Sequence, residues 1–449
     1  MINGLRLELK DVGPIVSADL DINRINIIGG QNGTGKSTAS KLLYCFLKIN
    51  SSDRDRLVSR RLNRLLRDID MTFKFHANAE DADIEELKLH IRRIRILLRR
   101  QDYDDFEEII DLFYKTEPLF NEAIENTRFY SISSGEIETT DMGERLIREF
   151  NKVERILKSV VDGSSYFYKE VMKDLLSTEL DIYGIDDKTA KSTDFNMNYA
   201  SFSDYSKSNF SFEVKPKDSG KELESEGKFN IRNVFYIESF SIFDTFFSFR
   251  NDTFHAKDLK EQLFPRKPIS RSFDDESIKK LEEIVENIVG GRVLKDKRGE
   301  LYFSSNDSSY ISTMKNTASG VKQIAVIQTL LHNRFLGEDC FLIMDEPEVN
   351  LHPEWQIKLA EILVLLAKEG NITIYINSHS PMFIEAMDTY SEYYDFEEYV
   401  NYYLSKKLDD DETRAKFEKI PTDELYKIYD NLGDPYDFLD EVRLRKGLK

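Results

Sequence analysis

The chain has 449 residues, a hydrophobic fraction of 40%, a charged fraction of 32% and a formal net charge of −19. This length exceeds one ordinary core and predicts two or three substructures. The negative charge argues against a protein coated in nucleic acid, although it leaves room for a local basic groove.

The N-terminal segment predicts strands that lead into a glycine-rich loop. Apolar residues alternate over Ile2–Leu9, and the β-branched run Ile25–Ile28 stops at a pair of glycines. Gly30–Ser37 then fits the pattern G-x-x-x-x-G-K-[ST] in full, and Ser37–Leu47 has helical spacing. The order strand, loop, helix is typical of a phosphate-binding loop (P-loop).

Each residue type in this loop has a chemical reason. Glycines let backbone N–H groups turn inward on a phosphate without Cβ clashes, and the following helix adds its positive N-terminus. Lys36 would neutralise the β- and γ-phosphates, Ser37 would ligate Mg²⁺, and Thr38 would support the α-phosphate. The predicted nucleotide contacts are Asn32, Gly33, Thr34, Gly35, Lys36, Ser37 and Thr38.

Residues 52–175 have a helical pattern in which charge is segregated. Arg54–Arg100 contains thirteen Lys/Arg and eight Asp/Glu, and Asp102–Glu125 is strongly acidic. The heptad-like spacing of Leu87, Ile91, Ile94 and Leu98 places the nearby arginines on another face. These arginines either lie along DNA or form a solvated face that is paired with the acidic block.

The rest of the chain predicts a return to a sheet. Residues 185–230 are rich in Ser, Asp, Lys and Asn and predict loop or irregular strand, after which Asn233–Ile237 predicts a buried strand. Strands at Val293–Leu294 and Leu301–Phe303 predict a hairpin. From residue 320 to 376, helices and apolar strands alternate with short spacers, as in a parallel sheet.

Two of these strands end in polar residues that are candidates for metal binding or catalysis. Phe341–Met344 is an apolar run followed by Asp345 and Glu346, which we interpret as a Mg²⁺ ligand and as the base that polarises the attacking water. His379 follows the strand Ile374–Ile376, and we expect it to reach the γ-phosphate from an adjacent strand.

A third motif lies at a helix start. Thr317–Gln323 precedes an apolar helix, and Ser319 is either a simple N-cap or, with Gly320, part of a phosphate contact. One monomer hardly brings this helix to the nucleotide bound at Lys36, whereas a second chain would.

With these four motifs in order, the chain resembles ABC-class ATPases of the RecF/SMC/OLD-like branch. The resemblance rests on Gly30–Ser37, Ala318–Gln323, Asp345–Pro347 and His379, and covers about residues 1–50 and 230–390. It implies ATP and Mg²⁺ as ligands and a head-to-tail dimer in which Ser319 and Gly320 act in trans.

Two departures from the family pattern stand out. The family's signature sequence is Leu-Ser-Gly-Gly-Gln, and here Val321 replaces its second glycine and Lys322 its glutamine. The family also has a glutamine loop after the first strands, for which only the region Tyr236–Ser239 is a topological candidate. The resemblance also puts Glu348–Asn350 in the loop that contacts the partner head.

Glu346–Pro353 and Thr317–Gln323 most resemble the ATPase subunits of two-component phage-defence systems such as PARIS and Septu. Too few residues follow His379 for a nuclease domain, so the implied effector is a separate TOPRIM- or HNH-type nuclease, with a phage protein as a candidate trigger. The alternative is a DNA-repair or chromosome-maintenance ATPase that binds DNA through Arg54–Arg100. A transport ATPase fits poorly.

We therefore expect an α/β ATP-hydrolysing head with a β-rich N-terminal lobe, a mostly parallel P-loop sheet and a long helical insertion. Two cysteines in apolar runs, a signal-free N-terminus and no run of about 20 apolar residues indicate a cytoplasmic protein without a membrane partner. The expected segments are 1–50 (head with Walker A), 51–180 (coiled-coil-like helical insertion), 181–300 (irregular or β return to the head), 301–395 (signature, Walker B and His379) and 396–449 (helical tail).

Overall fold

The structure is a computed structural model. It describes residues 5–51, 54–76, 82–100, 106–126, 130–133, 136–139, 142–162, 166–180, 197–204, 211–217, 220–226, 231–238, 253–265, 275–296, 301–307, 309–317 and 319–433. The chain divides into two compact units. We call Met1–Ser52 with Leu175–Lys449 the sheet unit and Asp53–Asp174 the helical unit.

The described strands are, in chain order, β1 (Leu5–Val12), β2 (Ile15–Ile22), β3 (Ile25–Gly30), β4 (Tyr130–Ser133), β5 (Glu136–Thr139), β6 (Met197–Asp204), β7 (Ser211–Lys217), β8 (Gly220–Glu226), β9 (Asn233–Ile237), β10 (Gly291–Lys295), β11 (Leu301–Ser305), β12 (Ile311–Thr313), β13 (Cys340–Asp345), β14 (Thr373–Ser378), β15 (Val400–Lys407) and β16 (Ala415–Ile420). The described α-helices are α1 (Lys36–Ile49), α2 (Arg54–His76), α3 (Ala82–Arg100), α4 (Phe106–Asn126), α5 (Met142–Asp162), α6 (Tyr166–Leu180), α7 (Phe254–Leu263), α8 (Asp275–Val289), α9 (Ser319–His332), α10 (Pro353–Gly370), α11 (Pro381–Tyr393) and α12 (Tyr426–Leu432).

One large sheet organises the sheet unit, with the strand order β8-β7-β6-β1-β2-β16-β15-β3-β14-β13-β9. The strands β9, β13, β14, β3 and β15 run parallel, and β3, β13 and β14 are buried along their whole length. Such strands have near-continuous apolar sequences because both faces of the sheet are covered. In register, Asp345 is opposite Asn377, and Ser378 is opposite Gly29, so the carboxyl ends of three strands meet at one edge.

The other half of the sheet is a meander in which β2, β1, β6, β7 and β8 pair antiparallel in that order. The alternation predicted from Ile2–Leu9 is present in β1 from its first described residue, since Leu5, Leu7 and Leu9 are buried. The predicted α/β class, with its β-rich N-terminal lobe, P-loop sheet and long helical insertion, is confirmed.

The expected helical tail at 396–449 is wrong for its first part. Residues 400–407 and 415–420 form β15 and β16, and β15 lies beside β3 in the middle of the sheet. Val400–Leu404 is rich in β-branched and aromatic residues, which favour a strand that is packed on both faces. The helix α12 follows, and residues 434–449 lie outside the described part of the chain.

The expectation of irregular or β structure over 181–300 is met by its strands, but it leaves out two helices. The strands β6, β7 and β8 form a regular meander, and two helices, α7 and α8, lie in the same range. Ile278, Leu281 and Val285 are buried at helical spacing in α8, a pattern that the polar composition of the range conceals. The strand β9 and the hairpin β10–β11 are confirmed as predicted.

The helical unit contains α2 to α5 with the two-stranded hairpin β4–β5. Phe120 stacks on Phe150 with ring centroids 4.0 Å apart, and it meets Phe73 edge to face at 6.2 Å. The predicted apolar face of α3 is buried: Leu87, Ile91, Ile94 and Leu98 are at most 3% exposed. The helical prediction for 52–175 is therefore confirmed apart from the hairpin.

Cys45 and Cys340 are buried, free thiols. Within the described residues, no helix has both the length and the apolar character needed to cross a membrane.

Candidate functional site

The loop between β3 and α1 has a backbone that requires glycine. Gly33 and Gly35 have φ angles of +78° and +89°. A Cβ on Gly35 would lie 2.5 Å from Cγ1 of Ile15, so a larger residue would be both strained and crowded there. The loop shape that was predicted from the motif is therefore built into the packing of β2 against the start of α1.

Lys36 lies in the concavity of this loop. Its Nζ donates hydrogen bonds to the carbonyl oxygens of Gly30, at 2.7 Å, and Gln31, at 2.8 Å. Burial lowers the pKa of the Lys36 amine, while the carboxylates of Glu346 and Asp345 oppose that shift. Among the described residues, the hydrogen-bond partners of this cation are neutral carbonyls, and acidic groups lie nearby, so it is suited to exchange these partners for phosphate oxygens.

The remaining loop residues differ in exposure. The Thr34 and Ser405 hydroxyls share a hydrogen bond of 2.7 Å, which ties the loop to β15. Asn32, Gly33 and Ser37 are exposed, and Thr38 is partly buried, so their polar groups face solvent where a nucleotide would bind.

Asp345 ends β13 and is held by residues from two neighbouring strands. Its Oδ1 accepts a hydrogen bond from Asn377 Nδ2 at 2.8 Å, and its Oδ2 accepts one from the Tyr236 hydroxyl at 3.1 Å. The Ser40 hydroxyl of α1 contacts Tyr236 at 3.0 Å and accepts from Asn377 at 2.9 Å. This network fixes the buried carboxylate directly behind the first turn of the P-loop helix.

Tyr236 enters this network as a hydrogen-bond donor. Burial, followed by the charge of Asp345, raises the pKa of Tyr236 well above its ordinary value. The hydroxyl therefore stays protonated at neutral pH and donates to the carboxylate.

Glu346 follows Asp345 in a left-handed backbone conformation, with φ of +51°, and its N–H donates to the Asn377 carbonyl at 2.9 Å. Non-glycine residues rarely adopt the left-handed backbone conformation, and those that do are concentrated at functional sites. The turn directs Glu346 towards His379: Oε1 lies 3.4 Å from His379 Nδ1. The two predicted catalytic residues are thus brought together.

Glu348 also holds His379, and it does so through the backbone. Its Oε1 accepts hydrogen bonds from the Ser378 hydroxyl at 2.7 Å and from the His379 N–H at 2.9 Å. The side chain is 3% exposed, and burial raises the pKa of Glu348. The expectation that Glu348–Asn350 contacts a partner head stays a prediction, because within the chain Glu348 faces the histidine.

Oxygen ligands suitable for Mg²⁺ are present. Mg²⁺ prefers hydroxyl, carboxylate and phosphate oxygens and keeps several waters. Ser37 offers an exposed hydroxyl at the helix start, and Asp345 offers a carboxylate whose orientation is fixed by two donors. These residues fit the ion.

The signature-like motif lies at the start of α9. A Cβ on Gly320 would lie 2.6 Å from Cγ of Trp355 in α10, and Gln323 Nε2 donates to the Pro347 carbonyl. These described contacts connect the motif with the turn after β13 and with α10, whereas they do not join it to the P-loop of the same chain. Ala318 and the Ser319 side chain lie outside the described residues.

Sequence reasoning assigned no role to Ser40 and Asn377. It placed Tyr236 in the candidate glutamine loop and Glu348 in the candidate dimer contact, and did not foresee their roles at this site. Ser40 lies one helical turn after Lys36, and Asn377 immediately precedes Ser378 and His379, so both had a local signal. The proposed glutamine-loop region at 236–239 does contribute Tyr236, while Ser239 lies outside the described residues.

The sequence of the chain matches one known protein family. The profile of the AAA ATPase domain matches residues 7–384, which is most of the chain. The chain belongs to this AAA ATPase domain family. No curated protein sequence matches the chain.

Solved structures similar to the chain include three SMC heads. The SMC head domain from Thermotoga maritima is 8% identical, with 94% of this chain and 100% of that chain covered and a TM-score of 0.37. A Smc head bound to the C-winged helix domain of ScpA is 12% identical, with coverages of 94% and 98% and a TM-score of 0.39. The Smc head from Pyrococcus furiosus, bound to the C-terminal domain of ScpA, is 9% identical, with coverages of 96% and 99% and a TM-score of 0.33.

Proposed function

We propose that the protein binds ATP with Mg²⁺ at the P-loop and hydrolyses the β–γ phosphoanhydride bond. The observation that carries this proposal is the position of Glu346 and His379, 3.4 Å apart at the ends of adjacent parallel strands, beside the strand that leads to Lys36.

Each residue has a role in this proposal. Lys36 and the loop N–H groups bind the β- and γ-phosphates. Ser37 and Asp345 would hold Mg²⁺, which would neutralise charge on the phosphate oxygens. Glu346 takes a proton from the attacking water while the water oxygen forms a bond to the γ-phosphorus. The bond between the γ-phosphorus and the β–γ bridging oxygen breaks, and ADP leaves with that oxygen. His379, held by Glu348, orients the γ-phosphate and the water.

Glu346→Gln tests this assignment. The amide keeps the size of the side chain but cannot take the proton, so turnover should fall about a hundredfold or more while ATP binding remains. Lys36→Ala is the comparison, because it should lose binding itself. Both quantities are measured with a fluorescent ATP analogue and a phosphate-release assay. Full turnover by Glu346→Gln would refute its role as the base.

We further propose a composite site in which Ser319 and Gly320 of a second copy close over the nucleotide. The supporting feature is the start of α9, where Gly320 packs on Trp355 and Gln323 donates to the Pro347 carbonyl, because these contacts do not join the motif to the P-loop of the same chain. The dimer should accumulate when Glu346→Gln is mixed with ATP, as measured by light scattering. A specific activity that stays constant down to clear monomer dilution would contradict the composite site.

The finer function that we propose is an ATP-operated sensor and scaffold in anti-phage defence, in which head closure controls a separate nuclease. Its support is the resemblance of Glu346–Pro353 and Thr317–Gln323 to ATPase subunits of such systems. The test is co-expression with a TOPRIM- or HNH-type nuclease encoded beside this chain, followed by phage challenge. Equal phage growth with the wild type and with Lys36→Ala would contradict this role.

The alternative is a DNA-dependent ATPase, and one observation favours it: Arg92 and Arg99 are exposed on α3. Other arginines of the region are paired, because Arg61 lies 2.5 Å from Asp174 and Arg95 lies 3.0 Å from Asp70. If DNA binds here, Arg92→Ala with Arg99→Ala should weaken binding and reduce its salt dependence. Unchanged ATPase activity on addition of DNA would argue against this alternative.

A further inference from the structure

A groove of about 580 Å³ lies between α10 and α11 in the sheet unit. Its lining includes Glu361 from α10 and Glu385, Tyr390 and Tyr393 from α11, together with Tyr394 just after that helix. None of the residues that the structure gives as its lining is a lysine, arginine or histidine. The nucleotide site described above uses none of them.

The tyrosines form a connected aromatic wall. Tyr390 and Tyr394 stack with their ring centroids 6.1 Å apart, and Tyr393 meets Tyr394 edge to face at 4.9 Å. Tyr393 is 74% exposed, the largest exposed fraction among the exposed large hydrophobic residues described. An aromatic ring presented in this way offers its negative face to a ligand.

The two carboxylates give the groove a negative charge. Glu361 accepts a hydrogen bond of 2.8 Å from the Tyr394 hydroxyl, so its position in the wall is fixed, and Glu385 is exposed at the rim. Burial and the neighbouring Glu361 raise the pKa of Tyr390 and Tyr394, so both hydroxyls stay protonated. The groove therefore combines one fixed carboxylate, one exposed carboxylate, hydroxyl groups and aromatic faces.

This combination selects one kind of ligand. A purely apolar ligand would desolvate carboxylates without pairing them, and an anion would be repelled. A cation is attracted both by the aromatic faces and by the carboxylates. An arginine or lysine side chain adds an aliphatic stem that can pack on Ile357 and Met382, which also line the groove.

We propose that the groove between α10 and α11 is a docking site for arginine or lysine side chains in a basic segment of a partner protein. The net charge of −19 would attract such a segment from a distance, and the groove would give it a defined position. The volume accommodates more than one side chain, which favours a peptide segment over a small inorganic cation.

The probe is a fluorescein-labelled nine-residue peptide with three arginines among serine and alanine. Its counterparts carry neutral citrulline or glutamate in place of arginine, and binding is measured by fluorescence anisotropy at about physiological ionic strength. We expect the arginine peptide to bind at least about tenfold more tightly than the citrulline peptide, since only the charged guanidinium group can pair with the carboxylates of the groove. Equal binding of the two peptides, or no binding of the arginine peptide, would overturn the proposal.

Matched variants locate the binding. Glu385→Gln and Tyr393→Ala should each weaken binding of the arginine peptide several-fold, since they remove a charge and an aromatic face from the groove. Glu412→Gln, in the turn after β15, and Tyr310→Ala, beside β12, remove the same groups at exposed positions elsewhere. Equal losses in all four variants would mean non-specific attraction to an acidic surface and would overturn the proposal. All four positions are exposed, so these variants are expected to fold.

Discussion

Asp345 shows how a single side chain at the site depends on its neighbours. Its two oxygens receive hydrogen bonds from Asn377 and Tyr236, and Ser40 connects both donors to the helix that follows the P-loop. Partners that orient a metal-binding carboxylate typically affect metal affinity or activity about 10–100-fold. We therefore infer that Tyr236 positions Asp345 for the bound ion without touching the nucleotide.

Tyr236→Phe removes one of these two donors and keeps the ring. We expect the Mg²⁺ concentration that gives half-maximal ATPase activity to rise about tenfold, with a smaller change in the rate at saturating Mg²⁺. The measurement is a Mg²⁺ titration of phosphate release at fixed ATP concentration.

Tyr375→Phe is the matched control. The Tyr375 hydroxyl is buried in the adjacent strand and has no hydrogen-bond partner among the described residues. Its removal should leave the Mg²⁺ requirement unchanged. If both variants behave alike, the hydrogen bond to Asp345 has no positioning role.

At the scale of elements, an ion-pair cluster connects α1, the end of β9 and α7. Glu238 lies 2.9 Å from Lys41 Nζ and 3.2 Å from His255 Nε2, and His255 Nδ1 lies 2.6 Å from Glu179. The hydrogen bond to His255 and the charge of Lys41 outweigh burial and lower the pKa of Glu238 to about 2. The folded protein therefore holds Glu238 ionised at a pH where the unfolded chain has already bound a proton.

This difference has a definite sign. A carboxylate whose pKa is depressed in the folded state contributes stability above its unfolded pKa, which is lost as the pH falls from about 4.5 towards 2. Glu238→Gln should therefore have a lower free energy of unfolding than the wild type at about pH 6, and the difference between the two should become smaller towards about pH 3. Urea unfolding at several pH values measures both free energies. A difference that is constant with pH would show that Glu238 is not the titrating group.

Gly320 has a packing role that is separate from any contact with a nucleotide. A Cβ there would collide with Trp355, so α9 and α10 approach each other at a point where only glycine fits. Gly320→Ala should cost about 1–3 kcal/mol of unfolding free energy through overpacking. Chemical denaturation measures this cost.

A second substitution separates packing from chemistry at Gly320. Trp355→Leu makes room for the new methyl group, so the double variant should recover much of the stability that Gly320→Ala loses. If ATPase activity recovers together with stability, Gly320 acts through packing alone. If stability returns without activity, the glycine also serves the composite site.

The sequence predicted the elements whose signals are local, and it missed those that depend on distant strands. The P-loop, β13 and the helices after them follow from short motifs and periodic apolar residues. The strands β15 and β16 carry no such motif, and their place beside β3 is set by pairing with residues far away in the chain. The hydrogen bond from Tyr236 to Asp345 was not predicted either, because only the register of β9 against β13 brings the two residues together.

At the scale of the whole molecule, the helical unit has an aromatic core of its own, formed by Phe73, Phe113, Phe120 and Phe150. Phe120 is 1% exposed, and its replacement by alanine should cost about 3–5 kcal/mol of unfolding free energy in that unit. Limited proteolysis with mass spectrometry should then show new cleavage sites concentrated in 53–174. Leu89→Ala, at an exposed position of α3, is the control and should leave the cleavage pattern unchanged.

The position of β3 between β14 and β15 also determines the order in which the protein can form during its synthesis. The P-loop is synthesised before both of the strands that flank β3, which lie at residues 373–407. The intervening helices of residues 54–162 pair locally and can fold while translation continues. A ribosome-bound chain that is stalled before residue 373 should therefore carry a folded helical unit and no nucleotide pocket, so the nascent protein can bind its ligand only after β14 and β15 have been synthesised.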